Sequence, residues 1–182
     1  MCIRDRFITG VDGLERAIAG LRAAIKFGLR PKVNMVVLRG VNESEVWDMI
    51  RFGMKLGVNI QLIELLNIDP VLFKKYYASL GELERELQQK AVKIGTNVIH
   101  GRPRYYLSDN FYVELVRSIK NPLFCMRCDR IRITHDGKFK TCIMRNDRLV
   151  DFLSYIRSGA SDEVLEMLFR KAVELREPFY KV

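Results

Sequence analysis

Cys125, Cys128 and Cys142 fall in the pattern Cys-Met-Arg-Cys, then thirteen residues, then one further cysteine. The stretch between them, Asp129-Arg130-Ile131-Arg132-Ile133-Thr134-His135-Asp136-Gly137-Lys138-Phe139-Lys140-Thr141, reads as two short strands joined at an Asp-Gly turn. Such a hairpin folds back on itself, so Cys142 returns beside the Cys-x-x-Cys pair and three thiolates converge on one point. Three thiolates without an evident fourth ligand suit an iron-sulfur cluster that leaves one iron open to a substrate, whereas structural zinc takes four protein ligands. The rival is a zinc site of three cysteines and one histidine, with His135 completing the tetrahedron. His135 sits immediately before the turn, at the end of the hairpin away from the cysteines, which favours the cluster. A disulfide fits less well, because four cysteines in 182 residues are sparse for a disulfide scaffold and the N-terminus lacks a signal-peptide pattern.

Other polar residues could share such a site. Lys32 and Asn34 are two apart on an otherwise apolar strand and project from one face, where they could line a polar cavity; Lys32 as the exposed first residue and Asn34 as a satisfied amide is the alternative. Glu64, near the end of a second apolar strand, has the same standing. Arg130 and Arg132 share a face of the hairpin's first strand, where two guanidiniums can grip a phosphate or a purine edge through forked hydrogen bonds. A solvated cationic face is the ordinary alternative. Counting across Asp136-Gly137 as a two-residue turn sets Cys142 opposite Ile131, on the face away from both arginines, so one pocket would require a bulge or bend. Arg102-Pro103-Arg104-Tyr105-Tyr106 mixes basic and aromatic residues, but reads as a loop entering a strand rather than a nucleic-acid patch.

The elements that must position these residues alternate. Leu14, Ile18, Leu21 and Ile25 predict a helix from Asp12 to Gly28, with Asp12 and Glu15 as a capping box. Lys32 to Leu38 is a strand, Asn42 to Leu56 a helix stopped at Gly57, and Val58 to Leu65 a second strand. Near-continuous apolar strands separated by helices imply a parallel sheet with right-handed crossovers, as in a doubly wound sheet or a TIM-type barrel. Two strands complete neither, so the expectation is a truncated chain, or a sheet completed by a partner. Beyond Asp69-Pro70 come a charged helix spaced by Leu80, Leu83, Leu87 and Ala91, a loop over 95–104, an antiparallel pair around Ser108-Asp109-Asn110, and, past Cys142, helices over about 148–157 and 162–175.

Lys and Arg number 31 against 22 Asp and Glu, a net charge of +9 that suits an anionic partner, be it a nucleotide, a nucleic acid or an acidic protein. No run of about eighteen apolar residues exists to span a membrane as a helix, and cytoplasm is the expected compartment.

The segment from Phe124 through Cys128-Asp129-Arg130-Ile131-Arg132 to Cys142 resembles the second-cluster motif of the molybdenum cofactor biosynthesis protein A family, the radical SAM GTP 3',8-cyclases. Lys32-Val33-Asn34, Gly40-Val41-Asn42-Glu43 and Ser158-Gly159-Ala160-Ser161-Asp162 extend the resemblance over nearly the whole chain. It implies an α/β fold: residues 1–69 as the C-terminal part of an incomplete parallel TIM-type barrel, and 70–182 as an α+β extension carrying the auxiliary cluster. It further implies a lyase acting on GTP with S-adenosylmethionine (SAM), whose product passes to cyclic pyranopterin monophosphate synthase. Cys125, Cys128 and Cys142 would ligate the second 4Fe-4S cluster, Lys32, Arg130, Ile131 and Arg132 would hold GTP, and Leu66 and Asn34 would border SAM. Neither nucleic acid nor membrane is an implied partner, and homodimerisation stays open. The sequence departs from the family at three places. The Cys-x-x-x-Cys-x-x-Cys of the first cluster is absent, so this chain alone is expected to be inactive; Gln61 and Leu66 stand where many relatives have Arg and Met; and no Gly-Gly closes the chain. The readings outside that family are a zinc module binding nucleic acid and another radical SAM enzyme with an auxiliary cluster.

Overall fold

Val33, Met35 and Val37 alternate with Lys32, Asn34 and Val36, and this period of two gives strand β1, Lys32–Val37, one buried and one open face. In this computed structural model residues 2–98, 101–117, 126 and 128–177 are described. They form two units, Met1–Leu65 with Asp69–Arg117, and Leu66–Ile68 with Ser118–Val182.

The first unit holds helices α1 (Cys2–Thr9) and α2 (Leu14–Lys26), then β1, helix α3 (Val46–Leu56) and strand β2 (Asn59–Glu64). Helices α4 (Pro70–Tyr76) and α5 (Gly81–Lys90) and strands β3 (Lys93–Thr96), β4 (Pro103–Ser108) and β5 (Phe111–Val116) follow. The sheet order is β1-β2-β5-β4-β3. β1, β2 and β5 are parallel, while β4 and β3 continue antiparallel. The class is therefore α/β as expected, with a sheet that is mixed rather than wholly parallel and that takes strands from both sides of residue 69. Met35, Ile50, Ile60, Leu62, Leu80, Leu87, Tyr105, Val113 and Leu115 bury their side chains on one face of it.

Local sequence explains most boundaries. Asp69 caps α4 by accepting from the amides of Val71 and Leu72, with Pro70 at the first helical position. Gly57 ends α3 in the left-handed region at φ 70°. The capping box expected at Asp12 does not form: Gly13 occupies the cap position without a side-chain bond. The loop expected over 95–104 also begins inside a strand, because β3 adds to the edge of β4 through main-chain bonds that tolerate Gly95.

Gly53 is the contact point of α3 with β2. A Cβ there would lie 2.6 Å from Ile60 Cδ1 and 2.8 Å from the Val58 carbonyl oxygen. Gly53→Ala is expected to destabilise the unit by about 1–2 kcal/mol in urea unfolding, overpacking outweighing the helix-propensity gain.

The second unit contains strands β6 (Arg132–Ile133), β7 (Lys138–Lys140) and β8 (Leu149–Asp151), then helices α6 (Leu153–Arg157) and α7 (Asp162–Glu174). The three strands form an antiparallel sheet. Val150, Leu168 and Ala172 are its buried core, with Ile131, Phe139, Phe152 and Val164 packed around them. Phe139 stacks on Phe152 at 4.4 Å and meets Phe169 edge-on at 5.5 Å. The helix expected from about residue 148 starts only at Leu153, because Leu149–Asp151 pairs with β7 and sends Val150 into this core.

Candidate metal and anion site

The hairpin forms, but its loop holds three residues rather than two. Thr134 donates its amide to the Lys138 carbonyl at 2.9 Å, enclosing His135, Asp136 and Gly137, with Gly137 at φ 75°. The extra residue moves the register by one: Arg132 pairs with Lys140 and Ile133 with Phe139. Counting on from Arg132 and Lys140 sets Cys142 level with Arg130, not Ile131. A one-residue shift exchanges the faces of a strand, so this register, carried two residues beyond its last pair, would set the cysteine on the side of both arginines. Ile131 packs against the Val150 core.

Cys128 and Cys142 are free, half-buried thiols. Cys125 lies outside the described residues. His135 is exposed in the turn, and among the described residues no three His, Cys, Asp or Glu side chains are grouped to hold a metal. Cys128 and Cys142 are soft thiolate donors of the kind that an iron-sulfur cluster or a zinc ion takes.

The turn after Cys142 is tied down by charge. Arg145 donates its amide to the Cys142 carbonyl at 3.4 Å and its guanidinium to both Asp147 oxygens, at 3.0 and 2.6 Å. Arg145 and Arg148 both pair with Glu177, at 3.4 and 2.7 Å. The hydrogen bond from Arg145 pulls the Asp147 carboxyl down to about 2.

In the first unit the open sheet face carries a polar row one residue deep across four strands: Asn34 beside Gln61, Gln61 beside Glu114, and Glu114 beside Arg104. Glu114 is wholly buried and meets Arg104 Nε at 2.8 Å, Lys32 Nζ at 3.3 Å and Arg102 at 3.5 Å. Lys32 also donates to Gln61 Oε1 at 3.4 Å, and the Arg104 guanidinium lies 4.6 Å from the Tyr112 ring centre. Burial pushes the Glu114 carboxyl up, but the Arg104 hydrogen bond and Lys32 outweigh it and hold it below its ordinary value. Three cations around one carboxylate leave this face positive and suited to an anion.

The profile of the family described as Molybdenum Cofactor Synthesis C matches residues 58–182. The chain belongs to the molybdenum cofactor synthesis C family. It is similar to proteins named probable GTP 3',8-cyclase. It is 43% identical to the one from Thermococcus kodakarensis, over 96% of this chain and 59% of that protein. With the Pyrococcus abyssi protein it shares 41%, over 96% and 60%. With the Methanothermobacter marburgensis protein it shares 42%, over 97% and 59%. The chain thus spans about three-fifths of the length of these relatives.

In this molybdenum cofactor synthesis C chain the expected site residues divide between the units. Lys32 and Asn34 stand on the open face of β1, Asn34 exposed; Arg130, Ile131, Arg132, Cys128 and Cys142 lie in the second unit, with Leu66, half-buried in the loop after β2. Glu64 is turned into the core instead. It is 2% exposed on the core face, accepts from the Leu80 amide at the start of α5 at 3.3 Å and pairs with Arg117 at 3.5 Å. Sequence reasoning missed Glu114, whose signal was a carboxylate inside the apolar run Phe111–Val116, and missed Arg145. No helix among the described residues is long and apolar enough to cross a membrane.

Proposed function

We propose that the chain is the C-terminal portion of a GTP 3',8-cyclase, a lyase converting GTP to 3',8-cyclo-7,8-dihydro-GTP by SAM-derived radical chemistry in molybdenum cofactor biosynthesis. On this reading residues 1–69 belong to a partial barrel and 70–182 to an extension. Cys125, Cys128 and Cys142 hold a 4Fe-4S cluster, which when bound supplies an open, Lewis-acidic iron for the guanine ring. Arg130 and Arg132 grip the nucleotide with planar, permanently charged forks, and the Ile131 main chain borders it. Lys32, held in place by Gln61 and Glu114, offers a further positive charge to GTP. Asn34 and Leu66 border SAM. The radical source is the first cluster of the whole protein, whose cysteine motif is not in this sequence.

The hairpin register supports the reading: Arg132 pairs directly with Lys140, two residues from Arg130 along one arm and two from Cys142 along the other, so that on this reading a ligand of the metal also reaches the guanidiniums. The relatives' names supply the substrate. Anaerobic reconstitution with iron and sulfide is expected to give about four irons per chain and broad absorbance near about 400 nm that shifts as GTP is added. One zinc per chain without that absorbance, or a spectrum indifferent to GTP, would sink the proposal.

A further inference from the structure

Arg132 and Lys140 are direct partners across an antiparallel pair, so their side chains stand together on one face. Phe139 and Val150, paired in the same sheet, point into the core beside Leu168 and Ala172, so the two cations occupy the face turned away from α7. Like charges placed opposite one another repel. Four other cations of this unit are answered: Lys138 pairs with Asp136 at 2.7 Å, Arg145 with Asp147 at 2.6 Å, Arg148 with Glu177 at 2.7 Å and Arg170 with Glu166 at 2.6 Å. Arg132 and Lys140 have no carboxylate partner among the described residues. The Arg132 Nη1 atom is buried without a hydrogen-bond acceptor. Lys140 Nζ donates one hydrogen bond, to Asn146 Oδ1 at 2.6 Å, which fixes its direction and leaves two of its three protons available.

Two adjacent cations, one with a buried unsatisfied donor and the other aimed by an amide, call for an anion with several acceptor oxygens. We propose that Lys140 is a phosphate-binding residue acting with Arg132, and that the two clamp the polyphosphate of a nucleoside triphosphate beside Cys142. The identity of the nucleotide rests on the cyclase reading, whereas the clamp rests on the two charges. The Arg fork takes two oxygens of one phosphate, and the Lys ammonium serves as a point charge between that phosphate and the next.

Calorimetry on the iron-sulfur-reconstituted full chain tests this with GTP, guanosine and inorganic tripolyphosphate. Lys140→Met is expected to bind GTP and tripolyphosphate about tenfold to hundredfold more weakly, with guanosine unchanged. Lys138→Met removes the same charge from a lysine already paired with Asp136 and is expected to change neither by more than about twofold. Lys140→Arg should recover most of the loss, and Lys140→Gln, which can still donate to Asn146, should not; both separate charge from folding. Equal weakening by the two Met variants, or wild-type phosphate affinity in Lys140→Met, overturns the clamp. If the wild type binds tripolyphosphate through Lys140 but not guanosine, the clamp stands and the cyclase reading falls.

Discussion

Glu114→Leu should lower the unfolding free energy by about 3–5 kcal/mol, because it removes the buried carboxylate that Lys32, Arg102 and Arg104 share while leaving the three cations in place. The buried partner left uncompensated sets the size of the loss, more than the worth of any one pair. Glu114→Gln should cost less, since an amide oxygen can still accept from Arg104, but it should change the acid limb. The fold holds the Glu114 pKa below its ordinary 4.5, so the native state binds fewer protons than the unfolded chain as the carboxylate titrates. Its contribution is therefore complete above about pH 4.5 and is lost as pH falls through the native pKa. Urea unfolding of wild type and Glu114→Gln at pH 7 and pH 4 should show a smaller gap between them at the lower pH. A gap that stays constant, or widens in acid, would show that Glu114 is not the counter-ion of the row.

That row was illegible in the sequence for a physical reason. Its members come from four strands, and Asn34 and Arg104 lie far apart along the chain; only the pairing of β5 with β2 brings Glu114 between Gln61 and Arg104. The strands themselves were legible as near-continuous apolar runs between helices, and so was α5, spaced by Leu80, Leu83 and Leu87; that β1 leaves one face open was not. The hairpin shows the boundary between the two cases. Asp136-Gly137 marked the turn correctly, yet the same dipeptide fits a two-residue or a three-residue loop, and the choice decides which face receives Cys142. Packing of Phe139 and Val150 against α7 selects the longer loop, and no local signal contains that information. Leu149–Asp151 misled for a similar reason, since a short apolar run fits a helix start as well as a strand until its partner is known.

Gly137 is where this register is enforced, and Gly137→Ala should destabilise the second unit by about 3 kcal/mol or more. Two constraints coincide there. The residue sits at φ 75°, and a Cβ would overlap that of Leu153 and stand 2.6 Å from its Cδ2. Leu153 cannot simply retreat, because the Gly137 carbonyl accepts from the amides of Phe152 at 3.2 Å and Leu153 at 3.1 Å. Gly137→Asn separates the constraints: asparagine tolerates positive φ but brings the same Cβ. If the overlap dominates, both variants should melt several degrees below wild type and retain less iron after reconstitution, since a shifted hairpin returns Cys142 to the wrong face. Recovery of wild-type stability by asparagine would show that backbone conformation alone constrains the position. A stable alanine variant with full iron content would go further, because the cysteine face would then not depend on this loop.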